Sequence, residues 1–134
     1  MNSKSKGDIA EAVFIAECLK KGYQVSTPFG DNAPYDCIVD TGSGLYKVQV
    51  KGRTPIRSGS ILQMPVQTIN NNISKEVYSY CDFVDWIVIV NLDDYKTYKV
   101  ETAEIQANSA ISLRLLPTKN NQEKGVVLAE DYIF

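Results

Sequence analysis

Three polar residues stand at a spacing that a short β-hairpin would bring together: Asp36, then Gln49 and Lys51 thirteen and fifteen residues on. Successive side chains of a strand point to opposite faces, so Lys47, Gln49 and Lys51 share one face while Val48 and Val50 turn to the other. Asp36 opens the preceding strand. An antiparallel return across Gly42 to Gly44 places it at the end where Gln49 to Lys51 finishes. A carboxylate, an amide and an ammonium group then meet at one strand end. The chain holds no histidine, which removes imidazole triads, Cys/His pairs and most zinc sites. Chemistry at such a cluster must rest on carboxylates, lysine, tyrosine, serine or a hard metal ion. Taken singly, the same residues also fit a turn-forming aspartate and a solvated strand.

The elements that must position these groups follow from periodicity. Residues 7–21 read as an amphipathic helix: Ile9, Val13, Ala16 and Leu19 recur at helical spacing, and Ala10, Phe14 and Cys18 widen the stripe. Lys20-Lys21-Gly22 supplies a cationic last turn and a glycine stop. Glu11 lies one turn after Gly7, near the border of the stripe. Strands are expected at 23–26, 35–40, 45–51, 61–66, 85–91 and 95–100, with Pro65 marking an edge. Residues 52–59 read as a loop. A short helix is expected at 74–80 with Ser74 as N-cap, and one or two helical turns at 101–106. Short strands around a loop at 119–125 complete the chain. The order is α/β or α+β, with the N-terminal helix on a mixed sheet, in one domain spanning 1–134.

Composition narrows the class. At 44% hydrophobic and 22% charged residues, the chain reads as an ordinary globular domain with a core of its own. Cys18, Cys37 and Cys81 show no ligand or paired spacing and sit among apolar residues, which fits small buried hydrophobes in a reducing, cytoplasmic setting. The polar start lacks the apolar core of a signal peptide, and no apolar run reaches the ~20 residues of a membrane span. A net charge of −2 argues mildly against nucleic acid, yet Lys47, Lys51, Arg53 and Arg57 cluster without an acid among them. One basic face on an acidic molecule is compatible with both.

Pro34-Tyr35-Asp36, followed by Gln49-Val50-Lys51, resembles the motif of the PD-(D/E)xK nuclease superfamily. Gly7-Asp8-Ile9-Ala10-Glu11 resembles the Gly-x-x-x-Glu element that some members carry on the first helix. The middle motif position holds Gln49 rather than an acid. The resemblance is therefore to the smaller Gln-x-Lys branch, that of group I intron homing endonucleases.

That resemblance implies a restriction-endonuclease-like core of αβββαβ order and metal-dependent hydrolysis of double-stranded DNA. It implies Mg²⁺, with Mn²⁺ as a substitute, held by Asp36, Glu11 and the Val50 carbonyl, and with Gln49 offering an amide oxygen to the metal or its water. Lys51 would orient the nucleophile and stabilise developing charge. Without a charge at Gln49, metal binding is expected to be weaker than in a Glu-x-Lys enzyme. Lys47, Arg53 and Arg57 are candidate phosphate contacts, and Gln63 and Gln67 candidate base readers. Two cuts need two active sites, so a homo-oligomer, dimer or tetramer, is expected, which the odd cysteine count and the apolar Ile133-Phe134 at the terminus permit. A Holliday-junction resolvase, a restriction-type nuclease and a silent DNA-binding module on the same fold are the alternatives.

Overall fold

The structure, a computed structural model, describes residues 1–70, 76–105, 110–116 and 127–134, the side chains of 67–70 and 76–78 excepted. Asn2 caps the first helix: its side chain accepts from the Ser5 N–H at 2.9 Å. Helix α1 then runs over Ser3–Lys20, one turn longer at its start than periodicity predicts. It ends as Lys20-Lys21-Gly22 leads one to expect. Gly22 takes φ 81°, and the Tyr23 N–H reaches back to the Cys18 carbonyl at 3.0 Å, the long bond of a Schellman stop.

Among the described residues nine strands follow: β1 (Gln24–Ser26), β2 (Cys37–Asp40), β3 (Leu45–Arg53), β4 (Ile61–Pro65), β5 (Gln67–Asn70), β6 (Glu76–Ser79), β7 (Trp86–Asn91), β8 (Thr97–Glu101) and β9 (Ala110–Arg114). Five form a mixed sheet in the order β1-β2-β3-β7-β8. Only the β3–β7 pair is parallel. β4 pairs with β9, and β5 with β6.

Both faces of the main sheet are covered. On one, Ala10, Phe14 and Cys18 of α1 pack on Val39, Val48, Val50, Trp86, Val88 and Val90. On the other, Ile87, Ile89, Tyr98 and Val100 pack on Leu62, Met64 and Leu113 of the β4–β9 pair. All six β7 residues are buried, which explains a continuous apolar run where a half-covered strand would alternate.

Four expectations need correction. The buried stripe of α1 is Ala10, Phe14 and Cys18, while Ala16 and Leu19 face solvent. Apolar residues on several sides of this helix left its rotation undecided until the sheet chose the face. Residues 52 and 53 belong to β3, because Gly52 and Arg53 pair with Val90 and Asn91. The segment expected as a helix at 74–80 holds strand β6, whose pairing with β5 outweighs local helix signals, and a 3₁₀ turn from Tyr80; residues 74 and 75 lie outside the described residues. No second α-helix occurs among the described residues.

The last correction concerns Phe134. Its ring lies 5.2 Å from that of Phe14 and 6.1 Å from that of Trp86, so it serves the chain's own core rather than a free terminus. Ile133 alone stays exposed. The turns expected at 101–106 reduce to the 3₁₀ turn Thr102–Glu104, and the loop at 119–125 lies outside the described residues.

Candidate active site

The site begins where β2 stops short. The β2–β3 ladder runs from Asp40↔Leu45 to Cys37↔Val48, and the Asp36 N–H adds one bond to the Val48 carbonyl at 2.8 Å. Pro34 has no N–H to extend the ladder. β3 nevertheless continues to Arg53. Its next outward N–H, that of Val50, is taken by a side chain: it donates to Asp36 Oδ2 at 2.8 Å. The N–H and C=O of one strand residue point to the same side, so the Val50 carbonyl faces the space β2 has left.

Gln49 joins the same carboxylate, its Nε2 donating to Asp36 Oδ2 at 2.9 Å. A carboxylate accepts only, so the nitrogen must be the end turned to Asp36 and Oε1 the end turned away. Gln49 is buried, at 8% exposure, and this bond satisfies an amide that would otherwise be costly there.

Glu11 approaches from α1. Burial, then the charge of Asp36 and a hydrogen bond shared with it, push the Glu11 carboxyl up to about 7, with Asp8 adding and Lys4 opposing. Two carboxyl groups thus share a site that favours a single negative charge unless a cation joins them. Gly52 permits the approach. A Cβ there would stand 3.0 Å from Ala10 Cβ and 3.2 Å from the Lys6 carbonyl, so only glycine lets α1 lie this close to β3.

Lys51 lies on the opposite face of β3 from α1, its ammonium 5.3 Å from the centre of the Tyr80 ring. That contact holds a long side chain at the rim of the site. These groups line one cleft of about 560 Å³, walled by Ser3, Lys6, Gly7 and Glu11 of α1, by Asp36, and by residues 49–54.

The structure therefore brings together Asp36, Gln49, Val50, Lys51, Glu11 and Arg53. The other candidates lie outside the cleft. Lys47 sits at the far end of the strand, 5.6 Å from the Tyr35 ring centre. Arg57 stands exposed at the tip of a turn with φ 52°. Gln63 bonds Ser112 Oγ across the β4–β9 pair at 3.1 Å. For Gln67 only the backbone is described, paired with Ser79. Sequence reasoning missed Ser3, Lys6 and Thr54 as cleft residues. A signal for Ser3 existed: Ser3, Gly7 and Glu11 recur every fourth residue, one line along the helix.

The donors suit a hard cation. Two carboxylates, a backbone carbonyl and an amide oxygen are all oxygen donors; among the described residues no group of three or more Cys, Asp or Glu side chains is placed to hold a metal ion by itself. Such a set suits a hard divalent cation that takes oxygen ligands and keeps waters of its own. Cys37 adjoins the site but is not a ligand candidate; burial above all pushes its thiol up to about 12.

No curated protein matches the chain. Among solved structures, the bacterial homing endonuclease I-Ssp6803I is similar with a TM-score of 0.74 and 27% identity, over 99% of this chain and 89% of that one. Hjc, a Holliday junction resolvase from the archaeal hyperthermophile Archaeoglobus fulgidus, is similar with a TM-score of 0.53 and 12% identity, over 96% and 98%. At that identity it speaks for the fold alone. The family model of the PD-(D/E)XK endonucleases matches residues 1–134. The chain belongs to that family, a nuclease of the kind that generally works with divalent metal ions.

Proposed function

We propose that this nuclease is a site-specific double-strand DNA endonuclease of the homing type that uses Mg²⁺, with Mn²⁺ able to substitute. The observation that carries the reading is the single Asp36 oxygen held by both Gln49 and Val50, with the Glu11 carboxyl beside it. Asp36, Glu11 and the Val50 carbonyl are the groups that would hold the cation. When bound, Mg²⁺ offsets phosphate charge and makes a nearby water more acidic.

The chain's own residues supply the rest. Gln49 keeps Asp36 in place through its nitrogen and leaves Oε1 to orient a water. Lys51 brings a positive charge to the phosphate as negative charge builds on its oxygens. Water forms the new P–O bond, and the bond to the leaving sugar oxygen breaks, that oxygen taking up a proton. Arg53, in the same cleft, adds charge toward the DNA backbone without reading sequence.

The proposal extends to assembly and setting. A double-strand cut needs two such clefts, which a symmetric homo-oligomer provides, dimer or tetramer. Sedimentation at several concentrations tests this, and a monomer throughout would remove it. Three free cysteines, two of them buried, suit a reducing cytoplasm. No helix among the described residues is long and apolar enough to cross a membrane.

The decisive experiment is plasmid nicking and linearisation with Mg²⁺ or Mn²⁺, comparing wild type with Asp36→Ala and Lys51→Ala. The substrates include intron-insertion sites such as tRNA genes, together with a cruciform. Cleavage that both variants lose supports the reading. Cleavage confined to the cruciform favours a junction resolvase. Failure on every substrate leaves a silent DNA-binding module.

A further inference from the structure

Two glycines line the cleft, and they differ in kind. Gly52 is demanded by the protein itself, since a Cβ there collides with α1. Gly7 is not. It is the fifth residue of an 18-residue helix, past the first turn, and it does not adopt a positive φ. A Cβ at Gly7 would meet nothing within 4 Å. Glycine in a helix interior is less stable than alanine, so the folded chain by itself gains nothing from it. Gly7 is one of the residues that line the cleft.

The surroundings indicate what passes there. Gly7 lies four residues, about 6 Å along the helix axis, before Glu11, which is close to the step from one phosphate to the next along a strand. Lys6 lines the same wall, and among the described residues it makes no ion pair, whereas Lys4 is engaged with Asp8 at 3.3 Å. Arg53 lines the opposite wall, its Nη1 donating to the Gly52 carbonyl at 2.9 Å. The α1 wall of the cleft thus carries no side chain at Gly7, and Lys6 and Arg53 bring positive charge to the cleft.

We propose that the backbone of the cleaved strand runs across α1 at Gly7, with Lys6 and Arg53 binding the phosphate next to the one that is cut. Gly7 acts as steric clearance and Lys6 as a charge contact. The inference rests on the nuclease reading of the Asp36 site and adds the path of the substrate beyond it.

The test pairs stability with binding and nicking. Gly7→Ala should keep or raise the melting temperature while lowering Mn²⁺-dependent plasmid nicking about tenfold or more, because one added methyl displaces the strand. Lys6→Ala should reduce the slope of log affinity against log salt by about 0.9, the share of one phosphate. The probe is a 30-base-pair mixed-sequence duplex in Ca²⁺, followed by fluorescence anisotropy. Wild-type nicking by Gly7→Ala, a fall in its melting temperature, or an unchanged salt slope for Lys6→Ala would each overturn the inference. Loss of nicking in Asp36→Ala at the same time would leave the nuclease reading standing. A wild type that binds the duplex without nicking anything would remove the nuclease reading, with the salt slope still deciding on Lys6; a wild type that does not bind removes both.

Discussion

The Gln49 side-chain amide donates to Asp36 Oδ2 at 2.9 Å. The middle motif residue is therefore a donor to the first one, a relation that an ionised acid at position 49 could not make. Gln49→Glu would remove that bond and set a third carboxyl group beside Asp36 and Glu11. Without metal, the variant should lose about 1–3 kcal/mol of stability. With Mg²⁺ it should bind more tightly, because the added charge favours the cation. Melting curves across a Mg²⁺ titration check both, and an unchanged metal-free melting temperature would count against the bond's importance.

Glu11 makes the metal-free protein pH-sensitive in a defined direction. Its folded value, about 7, lies above the ordinary 4.5. Its contribution to stability is thus fully present below the ordinary value and is lost as pH rises through about 7. In EDTA, stability should fall between these limits, and Glu11→Gln should flatten the fall. At pH 8 the variant should be the more stable, by about 1 kcal/mol or ~3 °C once solvent screening is allowed for. Equal pH profiles for the two proteins would contradict the assignment. Mg²⁺ should reverse the order, since only the wild type can offer the charge.

Gly52→Ala should cost about 1–3 kcal/mol, the usual range for overpacking. The added methyl meets Ala10 Cβ at 3.0 Å, Leu92 Cδ2 at 3.1 Å and the backbone oxygen of Lys6 at 3.2 Å. Moving α1 also moves Glu11, so nicking should drop together with the urea midpoint. A variant as stable and active as wild type would mean that the helix yields freely here.

Lys51→Ala should separate binding from cutting. Duplex affinity in Ca²⁺ should change by less than about threefold, while cleavage falls about 10²-fold or more, as expected when a group acts on the transition state. Parallel losses in both would recast Lys51 as a binding residue.

Metal removal should stop cleavage and should also be visible in the fold. Chelation should lower the wild-type melting temperature, because a ligand bound only to the folded state stabilises it. Asp36→Ala should show no such difference between EDTA and Mg²⁺. A difference that persists would place the cation elsewhere.

Local signals determined much of this molecule. The hairpin of β2 and β3 was legible because alternation and the Gly42–Gly44 turn act within a few residues, and it alone carries Asp36 to Gln49. The helix, its glycine stop and the apolar β7 run were legible for the same reason, and the absence of histidine narrowed the chemistry at once. Tertiary structure decided what depends on distant partners. The parallel pairing of β3 with β7 joins Val48 to Trp86, 38 residues away. It extends β3 through Gly52 and Arg53, and that extension forms one wall of the cleft. The sheet, not the helical pattern, selected Ala10, Phe14 and Cys18 as the buried face of α1, and so set Glu11 beside Asp36 and left Lys6 and Gly7 lining the same cleft. At residues 76–79 a partner strand overrode the local helix reading. Periodicity specifies which face is apolar; only packing specifies what that face meets.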